Sequence, residues 1–318
     1  MGKLVDGEWV TDAPVATTSK DGRFERADAS FRDRISPEAG ARFAPEAGRY
    51  RLYVSLACPW AHRTLVVRAL KGLEEAIPVS VVSPLMGANG WEFGGYAGAT
   101  PDPVFGARFL YEVYQRGGKR YTGKATVPVL WDSKSSVIVN NESSEILRML
   151  NDAFDAFAKR SLADLYPEGL RAEIDIVNAR VYEGLNNGVY RAGFAKSQMA
   201  YDEAARGVFE TLDWMEQRLA TRGWLAGDAM TEADIRSFTT LARFDAVYHV
   251  HFKCNRRRII DYPRLAYLAR KIYELPGVAE TVSFEHIAQH YYRSHPFINP
   301  SGLVPLGPSV DFRSTPPP

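Results

Sequence analysis

RYRLYVSLACPWAHRTLVVRALKGL, residues 49–73, decides the fold. Its opening, RYRLYVSLA, reads as a strand. Beyond it Ala61, Leu65, Ala69 and Leu73 recur every four residues as the apolar stripe of a helix, and Gly72 marks where that helix stops. Pro59 suits the first helical position because its missing N–H would have no partner there, which makes Cys58 the cap residue. A sulfur so placed faces free backbone amides and the positive pole of the helix. Such settings lower a thiol pKa from about 8.5 to about 3.5–7.5. His62 and Arg63 add local positive charge. Ala61 stands where a Cys-x-x-Cys pair keeps its second sulfur, so an oxidised Cys58 has to be reduced by a thiol from outside the motif. A bound small thiol is implied. A buried structural cysteine is the commoner fate of cysteines at large, but a Cys-Pro helix start directly after a strand favours the reactive reading.

Outward from this stretch, IPVSVVSP (77–84) is a second β-branched run, and strand-helix-strand order predicts a parallel pair. Residues 85–124 read as an insertion: a glycine-rich loop, the short amphipathic helix GARFLYEVYQRG (106–117) and another loop. ATVPVLWD (125–132) and SSVIVN (135–140) predict an antiparallel hairpin, and NESSEILRMLNDAF (141–154) starts a helix. The order βαβ, insertion, ββα predicts an α/β thioredoxin-like N-terminal domain over 48–155. Helical periodicity dominates from Tyr166, predicting an all-α domain over 165–300. Residues 1–47 lack sustained periodicity and read as a surface extension. The proline-rich tail, 301–318, is expected to end disordered.

The totals narrow the function. At 318 residues with 46% apolar composition the chain suits two packed domains. Thirty-nine basic against thirty-eight acidic residues leave a net charge of +1, no broad field for nucleic acid or anionic membrane. No apolar run long enough for a membrane span or an export signal is present, and two cysteines are too few for a disulfide framework. A cytoplasmic protein acting on small molecules is expected.

Val127 and Pro128 fall where a thioredoxin-like fold has a cis-proline beside the cysteine helix, a ledge on which a peptide can pair as an extra strand. Glu142 and Ser143 open the next helix, where amides, a hydroxyl and a carboxylate can hold a γ-glutamyl carboxylate and ammonium. NESSEI is also an ordinary capped helix start, with Asn141 as cap. TEADIRSF (231–238) reads as a capping box with Thr231 and Asp234. HIAQH (286–290) puts two histidines on one helical face but offers no third ligand, so no metal is expected. Cys254 has no helix start near it and reads as structural.

With these residues in place, the sequence resembles the cysteine-containing glutathione transferases, in particular the Xi class, the glutathionyl-hydroquinone reductases. The resemblance rests on CPWAHR (58–63), GWEF (90–93), TVPVLWD (126–132), NESSEI (141–146), FKCN (252–255) and HYYRSHPFINPSGLVPLGP (290–308). It implies that Cys58 is the nucleophile and that Trp91, Val127 beside Pro128, Glu142 and Ser143 hold glutathione as co-substrate. It implies further that Tyr190, Tyr248 and one of Tyr291 or Tyr292 line a quinol pocket, and that the chain forms a homodimer. Expelling an aryl group from sulfur as a bare carbanion is prohibitive, whereas protonating the ring carbon first lets the group leave as a stabilised enolate. Tyrosine hydroxyls can donate those protons and hydrogen bonds. Two rivals remain: an Omega-like thioltransferase or dehydroascorbate reductase, which needs Cys58 but not the tyrosines, and a non-catalytic glutathione-fold interaction module.

Overall fold

The computed structural model describes residues 2–11, 17–314 and 317–318. The chain divides into two compact units, Met1–Val15 with Ala27–Leu162 and Ala16–Arg26 with Ala163–Pro318. The segment ahead of the first long strand is thus shared between them, and its Leu4, Ile35 and Phe43 are buried.

The first unit opens with a hairpin of β1 (Lys3–Val5) and β2 (Glu8–Val10), turned at Asp6 and Gly7 with positive φ at both. That pairing of conformations matches the right-handed twist of the flanking strands. A second short hairpin, β3 (Thr17–Thr18) and β4 (Phe24–Glu25), lies in the other unit. The main sheet contains β5 (Tyr50–Val54), β6 (Val79–Val81), β7 (Val129–Asp132) and β8 (Val137–Asn140) in the order β6-β5-β7-β8. β5 runs parallel to β6 and antiparallel to β7, and β7 is antiparallel to β8. Tyr53 lies opposite Val129. That register brings the residues leaving β5 alongside those entering β7, so Cys58 and Val127 become neighbours across 69 positions of sequence.

Helix α1 (Pro59–Leu70) has Cys58 as its cap. The predicted stripe of Ala61, Leu65, Ala69 and Leu73 is buried, but ten of the helix's twelve residues are buried with it. This helix is wrapped by its unit instead of lying on its surface, and each large aliphatic chain such as Leu65 contributes about 1.5–3 kcal/mol by leaving water. It ends where expected: Gly72 has φ +65°, Gly72 N–H bonds to Ala69 C=O at 3.0 Å, and Leu73 N–H bonds to Arg68 C=O at 2.9 Å. These two bonds satisfy the last carbonyls in a Schellman arrangement, which requires the left-handed residue. The insertion is ordered, with α2 (Leu110–Gly117) at its centre and a bridge from Val82 to Phe93 beside the sheet. α3 (Ser143–Asp152) follows β8.

The second unit carries α4 (Arg171–Val181), α5 (Gly188–Gly193), α6 (Gln198–Arg218), α7 (Glu232–Arg243), α8 (Pro263–Tyr273) and α9 (Phe284–Arg293). Two π turns, Tyr182–Asn186 and Phe244–Tyr248, interrupt what the periodicity presented as continuous helices. In the first, a Cβ on Gly184 would come within 1.9 Å of Thr211 Oγ1, so only glycine lets α6 approach. The Thr231 and Asp234 capping box forms as expected. Asp234 accepts from Leu225 N and Thr231 N, each at 2.8 Å, and burial pushes its carboxyl up to about 6. The tail departs from expectation: Phe312 is buried, with its ring against those of Phe238, Tyr273 and Phe284. Aromatic burial outweighs the prolines' inability to continue a helix. No helix among the described residues is long and apolar enough to cross a membrane.

Candidate active site

In the first unit the chain leaves β5 through Ser55, whose backbone C=O accepts from Cys58 N–H at 3.1 Å, and the Cys58 C=O in turn accepts from His62 N–H at 3.0 Å. Cys58 therefore caps α1 while its side chain makes no capping hydrogen bond. Its thiol is half-buried and lies 3.6 Å from the Val127 C=O, immediately before the cis peptide bond to Pro128. The strand-to-helix turn and the entry to β7 thus meet at one sulfur. His62 is fully buried in the body of the unit. Arg63, also buried, spreads its guanidinium over the Trp60 ring at 4.5 Å, and its Nη1 donates to Ser143 Oγ at 3.4 Å. The helix bearing the thiol is thereby linked to the start of α3.

The residues expected to hold glutathione are positioned as follows. Glu142, not Asn141, caps α3: its carboxylate accepts from Ser144 N–H at 3.0 Å and from Ser144 Oγ at 2.8 Å. Asn141 is occupied elsewhere, accepting from Phe31 N–H and donating to Tyr114 Oη at 3.1 Å. Tyr114, on α2 of the insertion, also donates to Thr126 C=O at 2.8 Å. One hydroxyl therefore braces the residue before Val127 and the residue before Glu142, a role no sequence feature announced. Burial pushes the Tyr114 phenol up to about 12, which keeps it a donor. Trp91 is buried in the insertion, its C=O accepting from Leu110 N–H at 2.9 Å.

The second unit gathers the tyrosines. Tyr190 on α5, Tyr248 closing the second π turn and Tyr291 on α9 bring their hydroxyls together: Tyr190 Oη to Tyr291 Oη is 2.5 Å and Tyr248 Oη to Tyr291 Oη is 3.0 Å. π turns frequently mark functional positions because their extra residue re-aims the side chains that follow. Tyr292 does not join them. Its hydroxyl donates to Ala246 C=O at 3.1 Å. Burial, with the neighbouring tyrosines adding to it, holds the Tyr248 and Tyr291 phenols well above the usual value, so both stay protonated across the physiological range. Behind this trio His251 Nε2 and His295 Nδ1 are 3.2 Å apart, and burial pushes His251 down to about 4 and holds His295 well below the usual imidazole value. Both are neutral imidazoles able to share one proton. Among the described residues no group of histidine, cysteine or carboxylate side chains is arranged to hold a metal ion.

Cys254 sits apart, fully buried, with burial pushing its thiol up to about 12. The contrast with Cys58 predicts that a disulfide-forming thiol reagent titrates one thiol in the native protein and two after denaturation. Two native equivalents, or a rapid reaction surviving in Cys58→Ser, would contradict it.

A thioredoxin-like unit together with a mainly helical unit, to which the β3 and β4 hairpin belongs, is the architecture of the glutathione transferases. Two family models match the chain: glutathione S-transferase, N-terminal domain, over residues 57–153, and glutathione S-transferase, C-terminal domain, over 198–266. Glutathionyl-hydroquinone reductase PcpF of Sphingobium chlorophenolicum is 53% identical over 309 residues, 97% of each chain. An Xi-class transferase from Natrialba magadii superposes with a TM-score of 0.91 at 50% identity, covering 99% of this chain and 95% of its own. The glutathione-bound structure of YqjG from Escherichia coli K-12 superposes with a TM-score of 0.88 at 48% identity, covering 98% and 97%. The chain belongs to the glutathione transferase family, and within it to the Xi class.

Proposed function

We infer that the protein is a glutathione-dependent reductase that removes glutathione from glutathionyl-hydroquinones. The observation carrying this reading is the convergence of three tyrosine hydroxyls in the helical unit, which thiol exchange alone would not need. In the reaction the substrate's ring carbon takes a proton as a ring hydroxyl gives one up, yielding the keto tautomer. Cys58 thiolate then attacks the glutathionyl sulfur. A sulfur-sulfur bond forms, the carbon-sulfur bond breaks, and its electron pair passes into the ring as an enolate that is protonated to the hydroquinone. A second glutathione attacks the mixed disulfide, releasing oxidised glutathione and regenerating Cys58. Tyr190, Tyr248 and Tyr291 serve as the proton and hydrogen-bond donors. Trp91, Val127, Pro128, Glu142 and Ser143 hold the tripeptide: its backbone pairs at Val127, and its γ-glutamyl end sits at the start of α3.

An Omega-like thioltransferase would use the same thiol and leave the tyrosine trio without a task. We attach to the leading reading a homodimer, as the class implies, and a reducing, cytoplasmic setting in which both thiols persist. The test is incubation of the purified protein with a glutathionyl-hydroquinone and glutathione. Hydroquinone and oxidised glutathione are expected in equal amounts, and absence of enzyme-dependent hydroquinone would remove the reading.

A further inference from the structure

The hairpin of β3 and β4 belongs to the helical unit, and the residue that follows it, Arg26, reaches one of the three tyrosines. Lys196 N–H donates to Gly22 C=O at 2.9 Å and Ser197 Oγ to Asp21 C=O at 2.8 Å. Arg23 pairs with Glu203 at 2.7 Å, and the Phe24 ring lies 5.2 Å from that of Phe194. These contacts fix the residue that follows β4. Arg26 donates from Nε to Asn187 Oδ1 at 2.9 Å, and its guanidinium carbon stands 4.9 Å from the centroid of the Tyr190 ring. Asn187 directly follows the first π turn and lies three residues before Tyr190, so both face the same side of the chain's helical path.

We propose that Arg26 is a positioning residue for the reductase chemistry, delivered by the N-terminal hairpin to hold a cation over Tyr190 and strengthen its hydroxyl as a donor. Tyr248 and Tyr291 are buried, while Tyr190 is partly exposed and bonded through its hydroxyl to Tyr291. The cation therefore acts on the accessible end of the hydroxyl chain. A positive charge on the ring face draws electron density from the phenol and offsets negative charge as it develops on the departing enolate's oxygen. A guanidinium suits this better than an ammonium, because its Nε can donate to Asn187 while its carbon stays near the ring. The hairpin's other contacts then have a purpose in catalysis and not only in packing.

The inference rests on the reductase reading above, and the experiment separates the two. Arg26 is exposed, so Arg26→Met is expected to fold normally. It should lower kcat/KM for a glutathionyl-hydroquinone by about threefold to fivefold, as a surface cation–π contact would, while exchange on a small glutathione mixed disulfide stays at the wild-type rate. Arg26→Lys should recover part of the loss. A second readout needs no turnover: 3-fluorotyrosine placed at position 190 should titrate about half a pH unit higher in Arg26→Met than in the wild type. An unmoved fluorine titration overturns the coupling. So does a wild-type rate on the hydroquinone substrate in Arg26→Met. A wild-type protein inactive on that substrate overturns the reductase reading, and the fluorine resonance still decides whether Arg26 acts on Tyr190.

Discussion

Cys58→Ser is expected to lower hydroquinone release by on the order of 10⁴-fold, the scale on which removing a covalent nucleophile acts. Serine is nearly the same size and is itself a favoured cap residue, so α1 should start as before and the thermal midpoint should not fall. The sulfur lies 3.6 Å from the Val127 carbonyl, and a serine hydroxyl in its place, far less acidic than a thiol, is a much weaker nucleophile. The variant thus separates chemistry from folding. Wild-type protein treated with oxidised glutathione should gain the mass of one glutathionyl group, and Cys58→Ser should gain none. Cys254→Ala should still form the adduct. Substantial turnover by Cys58→Ser would mean that the thiol only orients glutathione, as in conventional conjugating transferases, and the mixed-disulfide mechanism would fail.

Tyr291→Phe is the second large effect, with an expected loss of about 10²-fold in hydroquinone release, the lower end of general acid contributions. Tyr291 is chosen because its hydroxyl lies within hydrogen-bond distance of both of the others. Removing it also takes a partner from the buried Tyr248 hydroxyl, a cost of about 1–3 kcal/mol that should appear in the thermal midpoint. Stability and catalysis are distinguished by a second substrate: exchange on a small glutathione mixed disulfide should stay near wild type, because it needs no carbon-bound proton. Tyr292→Phe is the control, since its hydroxyl is bonded to the Ala246 carbonyl and should matter little to either reaction. Equal losses in both reactions for Tyr291→Phe would favour the thioltransferase alternative.

The parts of the fold legible in the sequence were those governed by local rules. Pro59 and Gly72 bracket the first helix because backbone conformation at its two ends admits few other residues. The hairpin of β7 and β8 follows from β-branched runs, and Thr231 with Asp234 from a reciprocal cap. What escaped depends on contacts between distant positions. Nothing near Tyr114 says that its hydroxyl will brace Thr126 and Asn141, twelve and twenty-seven residues away. The cap of α3 moved from Asn141 to Glu142 for the same reason, since the asparagine side chain was claimed by Phe31 and Tyr114. The π turns were hidden because one extra residue scarcely disturbs an apolar period over so short a span. The hairpin at Val5-Asp6-Gly7-Glu8 was within reach, an Asp-Gly pair between strand-length segments being a strong turn signal, and was missed because its strands have only three residues each. The choice between Tyr291 and Tyr292 required the packed α9.

Because the hairpin of β3 and β4 sits in the helical unit while the residues on either side of it go with the other unit, the polypeptide passes between the units three times. During synthesis, Phe24 and Arg26 emerge long before the α5 and α6 residues that receive them. At about 5–20 residues per second, the hairpin waits on the order of 10 to 35 seconds for Asn187, Phe194 and Glu203 to be made. Maturation of the helical half is therefore tied to the earliest-made part of the chain, and neither half can be liberated intact by severing a lone connector.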